Sequence, residues 1–496
     1  MPSPRPRSIA LCLGAAAALI ACGNAVAQPG EPRCPVPAAA AGGPSNAHSR
    51  FVEANLNPPV VQPGARPHSL AERMRAYNVP GISVAVIHRG KLAWARGWGL
   101  RDTASCAPVT PDTAFQAASI SKLATAVIAL RLVEQGKLGL DRDINRFLRS
   151  WQLPRDPERA PDGVTLRQLL SHTAGLGIHG FAGYTPDADL PTPAQILDGT
   201  PPANSGAVRS TQPAGGQWTY SGGGYVLTQL ALSDVSGTPF EMLAQRELFD
   251  PLGMTRSAYA QPPSATILAD IASAHAGGVP IPGRFHVYPE LAAAGLWTNA
   301  ADLARLLIDV QAAAAGGEGH RLSPAMARAM LTPVMGNWGM GAALYSNGAR
   351  RFGHDGLNEG FQSSMIAYVD GGDGIVVLAN SGQSRRLIDE IVRAIATDYG
   401  WTDIAAPAVA AKMLTHAQLE RVAGTFAGGG LSVVLEARAE GLFADTGGPH
   451  AERLVALSAT RFFSDATGIV AEFAPDYSSF DIVEGGPPIK LVRSKP

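Results

Sequence analysis

Ser119-Ile120-Ser121-Lys122 places a hydroxyl and an amine three residues apart. On a helix, residues three apart share one face. A serine at a helix N-terminus also has unpaired backbone N–H groups and the positive end of the dipole beside it. Hydroxyl, amine and N–H donors are the equipment of an acyl-transfer nucleophile. Ser-x-x-Lys is also a frequent chance match. The plain alternative is an N-capping serine with a snorkelling lysine.

The elements around the tetrapeptide sharpen the question. A short strand-like run, Thr113 to Gln116, precedes it. From Leu123 to Val133 the following helix is apolar nearly all round, which predicts burial in the middle of a domain. Gly136 is a suitable C-terminal stop. A lysine in the first turn of such a helix is costly to desolvate unless it is paired or neutralised.

Three further stretches carry chemistry-bearing residues. Tyr220-Ser221-Gly222 opens a helix after a long Gly/Pro/Thr-rich loop, Gly177 to Gly216, whose length suggests a lid or pocket wall. Arg351-Phe352-Gly353-His354-Asp355-Gly356 lies on a strand before a final hairpin. Leu169 to Leu176 contains Ser171-His172-Thr173-Ala174-Gly175 at a helix end, where His172 is expected to fix the turn. Tyr220 as a core tyrosine and His354 as a structural strand residue are the plain alternatives. Asp355 and Asn358 are expected to shape the end of their strand. Gly175-Leu176-Gly177-Ile178-His179-Gly180 matches a dinucleotide fingerprint, but a helix precedes it and a loop follows, so that reading is rejected.

In chain order, a helix is expected at His68 to Tyr77. A hairpin follows, Ile82 to Ile87 and Leu92 to Trp98, turning at Arg89-Gly90. Residues 141 to 335 read mainly as helices: Thr165 to Ser171, one opening at Thr192, Tyr225 to Gly237, Glu241 to Phe249, and Asp302 to Ala314. Strands return at Met340 to Tyr345, Arg351 to His354, Phe361 to Val369 and Ile375 to Asn380, before a helix at Arg386 to Tyr399. This is an α/β class: an antiparallel sheet flanked by helices, with an all-helical insertion. Past Thr415, short alternating runs between glycines predict a small antiparallel β module.

Ser119 to Lys122, Tyr220 and His354-Asp355-Gly356 resemble, in order, the three motifs of the serine β-lactamase and penicillin-binding-protein superfamily. The branch most similar contains class C β-lactamases, DD-peptidases, D-aminopeptidases and related esterases. Phe249-Asp250-Pro251-Leu252-Gly253-Met254 and Gly295-Leu296-Trp297-Thr298 also look like family sequence. The resemblance runs from about Glu72 to Tyr399. It implies a β-lactamase-like sheet and helices. It implies Ser119 as nucleophile, with Lys122 and Tyr220 sharing the proton transfers. The oxyanion would be held by the Ser119 and Leu357 N–H groups, with His354 and Gly356 on the substrate-binding strand. Two departures stand out. Gly222 replaces the asparagine of Tyr-x-Asn, and His354 replaces the lysine of true β-lactamases. Both favour a peptidase or esterase with a roomier site. The function expected is an exported serine hydrolase acting on small esters, amides or D-amino-acid peptides. A true class C-like β-lactamase is the alternative, and a penicillin-recognising or cell-wall-binding protein is the non-enzymatic one.

The whole chain frames this. Its 496 residues suit one large domain and a smaller one. A hydrophobic share of 46% with 16% charged residues fits a globular protein. A net charge of −1 supplies no field for a nucleic-acid partner. Arg5 and Arg7 followed by an apolar run from Ile9 to Ala21 read as an export signal too short to span a bilayer. Ala25-Val26-Ala27 offers one cleavage site, and Leu19-Ile20-Ala21-Cys22 a competing lipobox with a lipid anchor at Cys22. Of the four cysteines, Cys34 and Cys106 remain in the mature chain, as one disulfide or two free thiols. No Cys/His spacing resembles a zinc site, and no metal or cofactor is expected. The expected organisation is a signal peptide (1–27), a Pro/Ala-rich tether (28–65), a hydrolase domain (66–402), a linker (403–413) and a C-terminal β module (414–496). The protein is expected to be periplasmic or membrane-anchored.

Overall fold

The computed structural model describes Cys34 and residues 42–58, 60–61, 66–404, 409–429, 431–447, 451–464, 470–483 and 489–494. The expected export segment, with Cys22, lies outside the described residues. Residues 42–55 and 69–404, with Cys34, form one compact unit, and residues 56–68 with the described residues after 408 form another.

The larger unit is built on a seven-stranded antiparallel sheet. Its strands are β1 (Gly81–His88), β2 (Lys91–Asp102), β3 (Ala107–Pro108), β4 (Ala343–Tyr345), β5 (Arg351–Asn358), β6 (Phe361–Tyr368) and β7 (Gly374–Ala379), in the order β3-β2-β1-β7-β6-β5-β4. β1 and β7 lie in the middle and are buried almost throughout, so they read as unbroken apolar runs rather than alternating ones. The β1–β2 turn puts Arg89 at φ +51° and Gly90 at φ +73°, the backbone a tight hairpin demands. Arg89 tolerates it while its N–H donates to Asp373 Oδ1 at 2.8 Å.

The helices that matter are α1 (Ala47–Ala54), α2 (Leu70–Ala76), α3 (Ser121–Glu134), α4 (Leu166–Leu170), α5 (Gly222–Ser236), α6 (Leu291–Ala294), α7 (Ala300–Ala314) and α8 (Arg385–Tyr399). α7 packs on β1 and β7, and α8 on β6 and β7. The central α3 is buried from Ser121 to Leu130, as its sequence requires. Gly136, at φ +70°, follows its C-terminus and donates to the Val133 carbonyl.

Two boundaries differ from expectation. The tether is not all tether: residues 47–54 form α1, capped by a reciprocal Asn46–Ser49 box and packed on α8. Within the linker, Val409–Ala410 pairs in parallel with Val60–Val61. Cys34 and Cys106 approach to a Cα–Cα distance of 5.6 Å, within the range a disulfide spans.

The smaller unit is a closed antiparallel barrel of eight strands: β8 (Gly424–Gly428), β9 (Leu431–Arg438), β10 (Gly441–Asp445), β11 (Glu452–Ala456), β12 (Arg461–Ser464), β13 (Val470–Phe473), β14 (Ser479–Val483) and β15 (Ile489–Arg493). Helix α9 (His416–Val422) precedes it. Phe426, Phe462, Phe473 and Phe480 are buried together, with Phe473 and Phe480 rings 4.7 Å apart. Side chains therefore fill the barrel.

Candidate active site

Ser119 does not open the α-helix itself. It sits in a 3-10 turn, Ala118–Ile120, just before α3. Ala118 takes φ +50°, a left-handed conformation that costs a residue with a Cβ of order 1–3 kcal/mol. Neighbours hold the turn in place. The Ala117 N–H donates to Leu296 O at 2.9 Å. Ser121 Oγ donates to Ala118 O at 2.5 Å and accepts from the Leu296 N–H at 3.0 Å. The second serine of the motif thus ties the turn to the Gly295-Leu296-Trp297 segment. It leaves Ser119 half-buried and accessible.

Lys122 Nζ lies 3.1 Å from Ser119 Oγ and 2.8 Å from Ala293 O, the latter on α6. It also stands 4.9 Å from the centre of the Tyr220 ring and 5.6 Å from that of Tyr225. Burial lowers its pKa to about 7. Near neutrality a sizeable fraction is therefore free amine, able to accept a proton from Ser119. Burial moves Tyr220 in the opposite direction, well above the ordinary phenol range, while its hydrogen bond with Ser119 opposes that rise. Tyr220 remains a proton-bearing phenol in contact with the nucleophile.

Tyr220 is positioned from behind by His172. That residue takes φ +60° at the end of α4, sets its ring 4.2 Å from that of Tyr220 at a 30° tilt and accepts the Ser221 N–H on Nδ1 at 3.1 Å. The Thr219 N–H donates to the His172 carbonyl at 2.8 Å. Both neighbours of Tyr220 are thus fixed to one histidine, which burial keeps neutral. The N-terminal N–H groups of α5 are also spoken for: Gly222 donates to His179 O and Gly223 to Ile178 O, each at 3.1 Å. The loop after Gly177 is therefore a pocket wall, as its length suggests.

The other wall is β5. It pairs with β6 over its whole length but with β4 only up to Gly353, which leaves the His354–Asn358 edge unpaired. Val369 N donates to Arg350 O, so even-numbered residues of β5 exchange bonds with β6. Leu357, an odd one, turns its N–H to the open edge. Gly356 allows the approach: a Cβ there would lie 2.3 Å from Ala117 O and 3.0 Å from Ala118 Cβ. Gly356 thus brings the open edge of β5 against the turn that carries Ser119.

His354 is buried. Its Nδ1 donates to Asp355 O at 2.6 Å, and among the described residues its buried Nε2 has no partner. Burial, then the nearby Lys122, lower its pKa to about 4, so the ring is neutral. The Asp355 carboxylate turns away to Arg385 at 2.6 Å. Asn358 braces the strand end by donating to Gln116 Oε1 and Ala294 O.

Of the residues singled out from the sequence, Lys122 and Tyr220 meet Ser119, the His354 ring lies 6.3 Å from that of Tyr220, and Gly356 packs on Ala117 and Ala118. Gly222 differs in one respect. Its missing side chain leaves no extra room, because a Cβ there would lie 2.9 Å from the Phe181 ring and 3.0 Å from His179 O. The expected roominess on that side is corrected: phenylalanine fills it. Sequence reading also missed the Ala293 carbonyl, Trp218 and Trp338. A carbonyl acceptor leaves no trace in residue type, and the tryptophans belong to no motif.

A seven-stranded antiparallel sheet carrying a Ser-x-x-Lys turn, a tyrosine and an open edge strand defines a serine hydrolase-type β-lactamase fold. The family model described as Beta-lactamase matches residues 68–398, and the chain belongs to that family. It is 34% identical over 154 residues to the mitochondrial serine beta-lactamase-like protein LACTB of Mus musculus, covering 30% of this chain and 24% of that protein. It is 35% identical over 106 residues to esterase EstB of Burkholderia gladioli, covering 21% of this chain and 27% of the esterase. The chain thus spans about a quarter of the length of these two curated relatives. In fold it is similar to an octameric penicillin-binding protein homologue from Pyrococcus abyssi, with TM-score 0.59 and 22% identity over 85% of this chain and 98% of that one.

Proposed function

We propose that this protein is an exported serine hydrolase that works through an acyl-enzyme on Ser119, with small esters, amides or D-amino-acid peptides as substrates. One observation carries the reading: a buried Lys122, its pKa lowered to about 7, lies 3.1 Å from the hydroxyl of an accessible serine. Lys122 takes the Ser119 proton as Oγ attacks the carbonyl carbon. The carbonyl oxygen becomes an oxyanion between the Ser119 and Leu357 N–H groups. Tyr220, held protonated, passes a proton to the leaving group and recovers one from Lys122. Water then attacks the ester, with the same groups run in reverse. The name of the esterase among its relatives supports an ester substrate.

The test offers the mature protein a nitrophenyl ester, a penicillin and a D-Ala-D-Ala peptide, and follows turnover and intact mass. An acyl adduct in wild type, absent in Ser119→Ala, is the expected result. Equal behaviour of both proteins on all three substrates sinks the reading. The N-terminal mass of the secreted protein separates cleavage after Ala27 from lipidation at Cys22.

A further inference from the structure

The rings around Tyr220 include those of His172, His179, Trp218 and Trp338, which bears on what the acyl-enzyme is made from. Trp218, 43% exposed, is one of the few large apolar side chains on the surface of this unit. Its ring lies 5.4 Å from Trp338 and 6.2 Å from Tyr220. Trp338 in turn lies edge-on, 5.5 Å from His354 and 6.1 Å from Tyr220. Its indole Nε1 is buried and lacks a hydrogen-bond partner among the described residues. A surface tryptophan leaning on a second one, both beside the nucleophile's tyrosine, is a ready-made face for a flat or branched apolar group. The Phe181 ring fills the place of a Gly222 side chain.

The same geometry disfavours an anion. A substrate carboxylate beside the β5 edge would need a cation or a row of donors. Position 354 offers a buried neutral ring whose Nδ1 is committed to the Asp355 carbonyl. Arg385, the guanidinium next to this strand, is held between Asp355 at 2.6 Å and Asp389 at 2.9 Å. The N-terminal N–H groups of Gly222 and Gly223 are consumed by loop carbonyls.

We propose that Trp218 and Trp338 form the specificity face of the Ser119 site, which takes uncharged esters or amides bearing an aromatic or bulky aliphatic group and discriminates against a free carboxylate next to the scissile bond. This rests on Ser119 being the nucleophile.

Two sets of substrate pairs test it. The first sets a phenylacetyl against an acetyl ester of one alcohol, and a benzyl against an ethyl ester of one acid. The second sets an N-acyl-D-Ala-D-Ala peptide against its C-terminal amide. All rates are normalised to sites titrated with a fluorophosphonate, so misfolded variant is not counted. Wild type should prefer the ring-bearing ester by about ten-fold or more in at least one series. Trp218→Ala and Trp338→Ala should each cut that ratio to about a third or less, and Trp218→Phe should keep most of it. The amide should be cleaved faster than the free acid. Unchanged ratios in both alanine variants, or faster cleavage of the free acid, overturn the proposal. A wild-type protein that takes no phosphonate at Ser119 sinks the nucleophile assignment instead.

Discussion

The ring of Phe181 stands where a side chain on Gly222 would go: a Cβ on the glycine would lie 2.9 Å from Phe181 Cε2. The position that resembles the asparagine of Tyr-x-Asn is therefore glycine because an aromatic residue from the preceding loop has moved in. Gly222→Asn should lower stability by about 1–3 kcal/mol through overpacking and disturb Tyr220 through His179, which lies 4.8 Å from its ring. Thermal melting and ester turnover should both fall. Adding Phe181→Ala should recover both. A single Gly222→Asn variant that melts like wild type and gains penicillin turnover would show the packing argument to be wrong.

The Lys122 amine sets the pH dependence. Below about 7 it takes a proton from solvent and can no longer take one from Ser119. Ester kcat/KM should therefore fall on the acid side with an apparent pKa near that value. Lys122→Arg, charged at every working pH, should lose activity by about 10²–10⁴-fold and show no such limb. The same shift is a stability term. The folded value lies below the unfolded 10.5, so between about 7 and 10.5 the unfolded chain binds the extra proton. Lys122 thus contributes more to stability at high pH than at neutrality, by about 1.4 kcal/mol per unit. The melting temperature of Lys122→Met relative to wild type should be highest at pH 7 and decline towards pH 10. A difference that stays level with pH contradicts a lowered pKa.

His172 lies against the Tyr220 ring and accepts the Ser221 N–H, so under the proposed mechanism it acts on catalysis through Tyr220. His172→Ala should lower kcat by about ten- to a hundred-fold, with KM moving less. Asparagine tolerates a positive φ and carries an acceptor, so His172→Asn should restore part of kcat. A purely structural role predicts a lowered melting temperature in His172→Ala without that rescue of kcat.

Much of this was legible in the sequence, and what was not has a physical reason. Ser119, Lys122, Tyr220 and His354 were legible because they match, in order, the motifs of the family the chain resembles. The strands of the large sheet were legible because central strands such as Gly374–Ala379 are buried on both faces and read as apolar runs. Helix Ala47–Ala54 was hidden in a Pro/Ala-rich stretch, although Asn46 and Ser49 spell its capping box. In the barrel, short strands such as Gly424–Gly428 and Glu452–Ala456 carry little alternation of their own. Closure depends on Phe426 meeting Arg493 from the far end of the module, a pairing no local pattern encodes. Expectation failed at Gly222 for a related reason: a glycine shows what it lacks, not which neighbour fills the space.

A last prediction concerns a residue the reaction does not use. Glu290 is fully buried, and neither carboxylate oxygen has a hydrogen-bond partner among the described residues. Burial raises its pKa from 4.5 to about 8. Its own carbonyl accepts the N–H groups of Ala293 and Ala294, so it stands at the base of the turn whose Ala293 carbonyl binds Lys122. Between pH 4.5 and about 8 the folded chain keeps a proton that the unfolded chain has released. Wild-type stability should therefore fall as pH rises through that window, at up to about 1.4 kcal/mol per unit. Glu290→Gln has nothing to ionise. Its stability relative to wild type should rise steadily from pH 5 to pH 8, measured by chemical denaturation at each pH. Above pH 8 ionisation puts an unpaired charge under the turn that holds Lys122, so ester hydrolysis should decline there in wild type and less in Glu290→Gln. A stability difference that does not change between pH 5 and pH 8 would mean that Glu290 titrates as an ordinary carboxylate.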